Sequence, residues 1–339
     1  MAPAVLATVV RSGQVESVHR GVIAVADGAG RPVAAVGEVE QPFYFRSSAK
    51  PIQLLPTVER GVFERHGFGD PELAVAASSH SGAPRHVEVV RNILRRVGVT
   101  PEALGCGYQE PRNQESLEAL FGGRAERTAL FNNCSGKHAG MLALAADLGA
   151  DPAAYLEPDH PAQALILERT CELTGLARRS AHFGIDGCSA PTLYAPLAAF
   201  AAAFGRLARL ARDGDGAGAG ARRIGEAMAA RPDMLGEPES FNTVLIATLG
   251  RRLLAKGGAE GLFCGAVLDS DLGFAVRVED GGSRAIGPVV IELLVQLELV
   301  RPEDLGPLRR LRQPVLRNWR GRDVGTIHPS FVVTRAAVR

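Results

Sequence analysis

Lysine is nearly absent from this sequence: of its 38 basic residues, three are lysine and 35 are arginine. Arginine stays protonated under all biological conditions, whereas a partly buried lysine can lose its proton and act as a base. A general bias toward arginine explains the surface charges, but it does not explain why three lysines remain. We therefore take Lys50, Lys137 and Lys256 as the first candidates for chemistry, with chance retention as the alternative.

Long apolar runs, a signal sequence and a strong net charge are also missing. No stretch of about 18 apolar residues occurs, and the N-terminus lacks the positive region of a signal peptide. The net charge of +1 is not the strongly basic balance that is typical of nucleic-acid-binding proteins. The five cysteines are widely spaced and odd in number, which favours a reducing compartment over a disulfide framework. We expect a soluble cytoplasmic protein without nucleic-acid or membrane partners.

The predicted elements run from strands to helices and back to strands. Valine-rich segments between turns predict strands at 5–10, 18–26, 32–39, 261–268, 273–279 and 323–335. Helical spacing of apolar residues predicts helices at 84–97, 137–148, 161–175 and 288–300, and a buried apolar helix at 192–210. The glycine-rich stretch 213–220 predicts a flexible loop.

This order predicts an α+β fold. Consecutive strands joined by short turns pair antiparallel, so the N- and C-terminal strands are expected to form one antiparallel sheet with helices packed on it. We expect residues 1–339 to form a single domain, with a helical middle of roughly residues 50–255 inserted between the terminal sheet segments.

Ser47 and Lys50 form a Ser-x-x-Lys motif. One helical turn places both side chains on the same face, so Lys50 could take the proton of Ser47. Because Pro51 disfavours the α conformation at Lys50, the motif must lie at the very start of a helix. Backbone amides at that position can stabilise an oxyanion. The motif alone is a weak signal, because most instances are helix caps or surface pairs.

Two further segments strengthen the motif. Lys256 precedes two glycines and a predicted strand, so it is expected to project from a sheet edge that a ligand can approach. Serine hydrolases of the β-lactamase and penicillin-binding type combine Ser-x-x-Lys with Lys-x-Gly on an edge strand. The segment 78–82 could present Ser79 at such a site, and a satisfied loop histidine is about as plausible for His80 as a catalytic one.

Cysteines near a lysine and a histidine raise the question of a metal. Cys134 and Lys137 stand just before a predicted helix, and Cys188 follows Asp186 in a glycine-rich turn. Two separated cysteines with a nearby nitrogen ligand could hold zinc. Inert buried cysteines are the simpler interpretation, and the residues alone leave both open.

With these motifs the chain closely resembles the L-asparaginase II family of the rhizobial type. The most specific runs are Asn-Asn-Cys-Ser-Gly-Lys-His from residue 132 and Gly-Ile-Asp-Gly-Cys-Ser-Ala-Pro from residue 184. The matching segments are 46–51, 78–82, 132–140, 184–191 and 256–265.

The resemblance implies a β-lactamase-like or penicillin-binding-like fold, a homodimer, and hydrolysis of L-asparagine to L-aspartate and ammonia without an organic cofactor. It implies two serine–lysine tandems, which map onto Ser47 with Lys50 and onto Ser79 with Lys256. It also implies an auxiliary zinc site, which maps onto Cys134, Lys137 and Cys188. We expect Ser47 to be the nucleophile and Lys50 its base, with Ser79 and Lys256 relaying the proton. The substrate contacts are expected from Arg46, His80, His138 and Asp186.

Two segments depart from the family pattern. Residues 81–83 read Ser-Gly-Ala where the family often has Ser-Gly-Glu, and residues 236–243 contain two glutamates where it tends to have an arginine. The chain could therefore act on glutamine or another small amide, since one methylene is worth about 1–3 kcal/mol in an apolar pocket. A catalytically silent amino-acid- or zinc-binding protein is the remaining alternative, and the retention of both tandems argues against it.

Overall fold

The structure is a computed structural model that describes residues 3–214 and 217–335. The chain divides into two compact units. The first runs to Ser48 and continues with Ala195–Arg209 and the residues from Arg252 onward. The second consists of Ala49–Tyr194 and Leu210–Arg251.

Strands and helices alternate in long blocks along the described residues. The strands β1 to β12 are, in chain order, Ala4–Arg11, Gln14–Asp27, Pro32–Val36, Pro42–Tyr44, His182–Ile185, Pro191–Pro196, Leu253–Gly257, Leu262–Val267, Leu272–Val278, Val315–Arg317, Asp323–Pro329 and Thr334–Arg335. The helices α1 to α12 are Lys50–Glu59, Val62–Arg65, Asp70–Ala76, Pro84–Arg96, Gln114–Phe121, Ser135–Asp147, Pro161–Thr174, Leu197–Asp213, Ala217–Ala230, Phe241–Leu249, Ile286–Gln296 and Arg309–Arg312. Among these described helices, none combines the length and the apolar character needed to cross a bilayer.

An antiparallel sheet forms the centre of the first unit, with the strand order β10-β11-β1-β2-β9-β8-β7. β1 pairs with β11 from the other end of the chain, with Val9 opposite Ile327. β2 pairs with β9, with Ile23 opposite Val276, and β3 pairs with both β2 and β12. The predicted α+β class, with one antiparallel sheet built from the N- and C-terminal strands, is therefore confirmed.

Helices cover this sheet, as predicted. Residues 21–26 of β2 are buried without interruption, which a strand shows when both of its faces are covered. α11 packs against β9 and β11, and Phe200 of α8 stacks on Phe45 with ring centroids 4.0 Å apart. The backbone of α8 also approaches β9 closely, because a Cβ atom on Gly273 would lie 1.9 Å from the amide nitrogen of Gly205.

The second unit is a helical bundle around α6. Every residue of α6 from Ser135 to Ala145 is buried, which is typical of a helix enclosed on all sides. α1, α3, α4 and α7 pack against it. The hairpin of β5 and β6 belongs to the same unit, with Ile185 opposite Pro191. α6 therefore fixes the positions of the residues at its own N-terminus, where several candidate site residues lie.

Two predicted elements are wrong in part. The apolar run 192–210 begins as strand β6 because it pairs with β5, and α8 starts only at Leu197. Of the glycine-rich stretch 213–220, residues 215 and 216 lie outside the described residues, and helix α9 already begins at Ala217. Gly220 is buried, and a Cβ atom there would lie 3.0 Å from Cγ of Glu59. This glycine permits close helix packing rather than chain flexibility.

Candidate active site

Lys50 is the first residue of α1 and its side chain is fully buried, with an exposed fraction of 0 %. A short 3-10 turn, Arg46–Ala49, leads into the helix, and Pro51 occupies its first turn. Proline is tolerated there because the backbone N–H that it lacks would have no helical partner. The prediction that the Ser-x-x-Lys motif lies at the very start of a helix is confirmed.

The amine of Lys50 is surrounded by three oxygen atoms. Its Nζ atom is 2.9 Å from Oγ of Ser79 and 3.2 Å from the backbone oxygen of Asn133, and it also donates to the backbone oxygen of Ser78. Ser79 follows the end of α3 and is partly exposed, whereas Ser78 is buried and donates its hydroxyl to the Val75 backbone oxygen. The structure therefore places a partly exposed serine hydroxyl within proton-transfer distance of a buried amine.

Lys256 lies in the first unit, within β7 rather than before a strand as predicted. β7 is the last strand in the order of the described sheet, so the predicted edge position is confirmed. The exposed fraction of Lys256 is 4 %, and its amine donates to the Gly257 backbone oxygen. A Cβ atom on Gly258 would lie 2.9 Å from Oγ of Ser48, so this glycine lets the turn that carries Ser47 approach the end of β7.

Within each unit taken by itself, the contacts of the candidate residues differ from the predicted tandems. In the second unit, Lys50 contacts Ser79. In the first unit, the turn that carries Ser47 and Ser48 approaches the Lys256-Gly257-Gly258 end of β7. The predicted tandems pair Ser47 with Lys50 and Ser79 with Lys256, and these pairings stay predictions.

The predicted metal ligands lie together in the second unit. Cys134 immediately precedes α6, Lys137 is in its first turn, and Cys188 follows β5. Nζ of Lys137 donates to Sγ of Cys188 at 2.9 Å, and Sγ of Cys134 donates to Oδ1 of Asn133 at 3.0 Å. All three side chains are at least nine-tenths buried.

The two lysines of this unit have opposite electrostatic surroundings. Burial lowers the pKa of Lys50, and the charge of Lys137 lowers it further, against the opposite effect of Cys134. Burial alone would also lower the pKa of Lys137, but the nearby sulfurs of Cys188 and Cys134 raise it. The hydrogen bond from Cys188 and the charges of Lys50 and Lys137 lower the pKa of Cys134, although burial opposes this. Of the two amines, that of Lys50 is the one suited to accept a proton.

The zinc ion that the family resemblance implies fits the chemistry of these side chains. Within residues 3–214 and 217–335, no three side chains drawn from His, Cys, Asp and Glu converge, so a metal here would depend on Lys137. Cys134, Cys188 and Lys137 would supply two sulfur atoms and one amine nitrogen. Sulfur and nitrogen donors are the ligands that zinc prefers.

The predicted substrate-binding histidines differ in how their ring nitrogens are used. Both are fully buried. Nδ1 of His80 accepts from the amide of Gly82 at 3.1 Å, and its Nε2 is 3.0 Å from Oγ of Ser135. His138 shares a hydrogen bond between Nδ1 and the hydroxyl of Tyr155, and its Nε2 has no protein partner among the described residues. His80 therefore ties the Ser79 segment to the start of α6, and its contact with substrate stays a prediction.

Arg46 and Asp186, the other predicted substrate contacts, both lie in strained or tight turns. Arg46 has a φ of 49°, in the left-handed region that favours glycine, directly before Ser47. Such strain in a non-glycine residue is concentrated at functional sites. Asp186 accepts from the amide of Gly187 at 2.7 Å in the turn that carries Cys188. Their contact with a substrate stays a prediction.

The two segments that depart from the family pattern meet in the structure. Oε1 of Glu237 accepts from Nδ2 of Asn113 at 3.1 Å. The backbone N–H of Asn113 in turn donates to the Ser81 backbone oxygen at 3.1 Å. A glutamate from the second departing segment thus anchors the first, two residues beyond Ser79.

Two site residues were missed from the sequence. Asn133, whose backbone oxygen accepts from Lys50, lies inside the most specific family run and could have been included. Tyr155, which contacts His138, stands in no motif, and only the packing of α6 brings it to the site.

Comparison with known proteins identifies one family. The model of the family described as L-asparaginase II matches residues 7–329. No curated protein matches the chain significantly.

The solved structures similar to this chain are distant. A protein called Mglu, in its native form, is 16% identical, with 83% of this chain and 64% of that chain covered and a TM-score of 0.46. Mglu in its tris and glutamate form is 15% identical, with 83% and 59% covered and a TM-score of 0.38. A beta-lactamase from Mycobacterium bovis is 14% identical, with 82% and 94% covered and a TM-score of 0.36. The chain spans less than two thirds of the length of Mglu in these two forms.

Proposed function

Because the chain belongs to the L-asparaginase II family, we propose that it hydrolyses the side-chain amide of L-asparagine to L-aspartate and ammonia. Family membership supports an amidohydrolase of the asparaginase type in general. The observation that carries the proposal is the fully buried amine of Lys50, 2.9 Å from the hydroxyl of Ser79. A buried lysine beside a reachable serine is an arrangement that activates a hydroxyl for acyl transfer.

In the proposed mechanism, Oγ of Ser47 attacks the amide carbon and its proton passes to the neutral amine of Lys50. The carbonyl electrons move to the oxygen and form a tetrahedral oxyanion. Lys50 then returns the proton through the Ser79 hydroxyl to the leaving nitrogen, so that ammonia departs and an aspartyl ester remains on Ser47. Water hydrolyses the ester in a second step, in which Lys256 positions the water. The contact between Lys50 and Ser79 supports the proton relay, and the family resemblance supports Ser47 as the nucleophile.

Paired serine variants test this assignment. Ser47→Ala should lower kcat by at least about 1000-fold, because the nucleophile is lost, and Ser79→Ala by about 100-fold, because a proton relay is lost. A quenched reaction of wild type with L-asparagine should show the aspartyl ester on the peptide that contains Ser47. Ser180→Ala, which changes an exposed serine that donates to the Ala177 backbone oxygen, is the control and should keep near-normal turnover. An ester on Ser79, or near-normal turnover of Ser47→Ala, would make Ser47 the wrong nucleophile.

L-Glutamine is the substrate to compare with L-asparagine. The two amides differ by one methylene, which separates substrates by only about 1–3 kcal/mol in an apolar pocket. The glutamate that anchors the segment after Ser79, Glu237, is the feature of this chain that departs from the family. A kcat/KM higher for L-glutamine than for L-asparagine would replace the proposed substrate and leave the reaction class intact.

We propose that zinc has an accessory role, held by Cys134, Lys137 and Cys188. When bound, it would supply positive charge close to the reacting groups. About one zinc per chain is expected by elemental analysis of the purified protein, and Cys188→Ala should lose it. Cys171→Ala, which changes a buried cysteine of α7, should retain it. Zinc bound at full occupancy without turnover of any small amide would instead indicate the catalytically silent binding protein.

We also propose a homodimer in a reducing compartment. The family resemblance supports the dimer, and light scattering should give twice the chain mass of 35.7 kDa. All five cysteines have free, buried thiols, which supports the cytoplasm. A monomeric mass would overturn the proposed homodimer. Fewer than five titratable thiols in denatured protein prepared without reductant would overturn the proposed reducing compartment.

A further inference from the structure

A cavity of about 710 Å³ lies in the second unit, outside the candidate active site. Residues of α4, the turn 101–104 and the connection 124–131 between α5 and α6 line it. The volume is within the range of about 300–1,000 Å³ that is typical of small-molecule pockets. Its apolar wall is formed by buried or half-buried side chains, namely Val87, Leu104, Leu130 and Phe131. The cavity is therefore large enough for a small organic molecule and offers it an apolar surface.

The wall opposite α4 is held in place by hydrogen bonds of its own backbone. The N–H groups of Arg124 and Ala125 both donate to the Ala119 backbone oxygen, at 2.8 Å and 3.1 Å. The N–H of Leu130 donates to the Thr128 hydroxyl at 3.3 Å. Because these bonds fix the connection to α5, the cavity is a preformed feature of the fold, as most small-molecule pockets are.

Charged side chains form the polar part of the lining, and positive charge exceeds negative charge. Three arginines and two glutamates line the cavity, namely Arg91, Arg124, Arg127, Glu102 and Glu126. Within residues 3–214 and 217–335, none of these arginines forms an ion pair with a carboxylate. The guanidinium carbon of Arg127 lies 5.6 Å from the ring centre of Tyr108. Stacking of this kind leaves the N–H groups at the edge of a guanidinium able to donate.

We propose that this cavity is a second binding site, and that its ligand is a small organic anion. The oxyanion group of the ligand is held by Arg124 and Arg127, and its apolar body packs against Leu104 and Phe131. Guanidinium groups bind carboxylate and phosphate oxygens through paired hydrogen bonds, and burial of the apolar body adds hydrophobic stabilisation. This site goes beyond the proposed amide hydrolysis, which it neither requires nor replaces.

The cavity adjoins the chain segment that contacts Lys50. The Leu130 backbone oxygen accepts from the Ser135 hydroxyl at 2.9 Å, and the Asn133 backbone oxygen accepts from Lys50 at 3.2 Å. Leu130 and Phe131 line the cavity, whereas Asn133 and Lys50 do not. A ligand in the cavity therefore contacts this segment without occupying the place of a substrate beside the amine of Lys50.

Anilinonaphthalene sulfonate is a suitable probe, because it joins an oxyanion to an apolar aromatic body and its fluorescence rises when it leaves water. Fluorescence titration and calorimetry should show about one bound molecule per folded chain. The uncharged analogue N-phenylnaphthylamine, which lacks only the sulfonate, should bind at least about tenfold more weakly. Equal affinities for the two compounds, or several bound molecules per chain, would overturn the inference.

Substitutions with opposite expected signs separate the charges of the cavity from effects on folding. Arg124→Gln and Arg127→Gln should each weaken binding of the sulfonate probe by about three- to tenfold. Glu126→Gln removes a negative charge from the same wall and should tighten binding by about twofold. Arg95→Gln changes an exposed arginine of α4 that donates to Asn92, and it should bind as wild type does. Unchanged binding in both cavity arginine variants, or weaker binding in Glu126→Gln, would contradict the proposed site.

Competition identifies the oxyanion group and separates the two sites. Naphthyl phosphate and naphthoate should displace the sulfonate probe, and the tighter competitor shows whether the cavity prefers a phosphate or a carboxylate. Failure of both to displace it would overturn the inference. Excess L-asparagine should leave the probe bound, whereas displacement by L-asparagine would place the probe in the candidate active site and overturn the second site. A protein that binds the probe as expected but hydrolyses no small amide would overturn the proposed function alone.

Discussion

Replacing Lys50 with arginine should slow ammonia release from L-asparagine by at least about 100-fold, since general-base catalysis is typically worth about 10²–10⁴-fold. The guanidinium group can still donate to the oxygens of Ser78, Ser79 and Asn133, which surround the amine in wild type. It cannot give up a proton, so it cannot accept one from an attacking serine. The loss should appear in kcat, measured with saturating substrate.

The controls for this experiment must separate catalysis from folding, because Lys50 is fully buried and arginine is larger. Lys50→Met removes the base without adding bulk, and it should be folded and equally inactive. Thr57→Val, which changes a buried residue two turns further along α1, should keep near-normal turnover. The melting temperature of each variant shows whether it is folded. Near-normal turnover by a folded Lys50→Arg or Lys50→Met protein would contradict Lys50 as the base.

The scarcity of lysine was a useful predictor because of the physical difference between lysine and arginine. Lys50, Lys137 and Lys256 have exposed fractions of 0 %, 4 % and 4 %, so every lysine of the chain is buried. A buried ammonium is costly unless it is paired, and each of these amines donates to an oxygen or a sulfur atom. The antiparallel sheet was also predictable, since valine-rich strands with short turns leave few other pairings.

The partner of Lys50 was not predictable from local spacing. A helical turn explains why Ser47 and Lys50 are considered together, but Ser79 lies 29 residues away along the chain. Its contact with Lys50 depends on how α1 and α3 both pack on α6. The hydrogen bond between His138 and Tyr155 has the same origin, because the packing of the bundle brings Tyr155 to the ring. Long-range contacts of this kind have no signature in a single sequence.

Gly136→Ala should destabilise the protein by about 2–3 kcal/mol, because it overpacks a closed interface. A Cβ atom on Gly136 would lie 2.3 Å from the backbone oxygen of Val75 and 2.8 Å from its carbonyl carbon. These are backbone atoms near the end of α3, so no side-chain rotation relieves the clash. The same backbone oxygen accepts from the Ser78 hydroxyl at 2.9 Å. Pushing α3 away from α6 should therefore also displace Ser79 from Lys50 and lower kcat.

Gly140→Ala is the matched control, one turn further along α6. A Cβ atom there would lie 3.3 Å from Cδ1 of Leu54 and 3.5 Å from Cβ of Ala76, contacts that a small side-chain movement accommodates. Alanine is favoured over glycine inside a helix by about 1 kcal/mol, so this variant should match or exceed the wild-type stability. Urea denaturation measures both free energies of unfolding. If both substitutions change the free energy of unfolding in the same direction, the close approach of α6 to Val75 does not require glycine at position 136. If Gly136→Ala destabilises the protein and Gly140→Ala does not, the constraint lies in the first turn of α6, between Cys134 and Lys137.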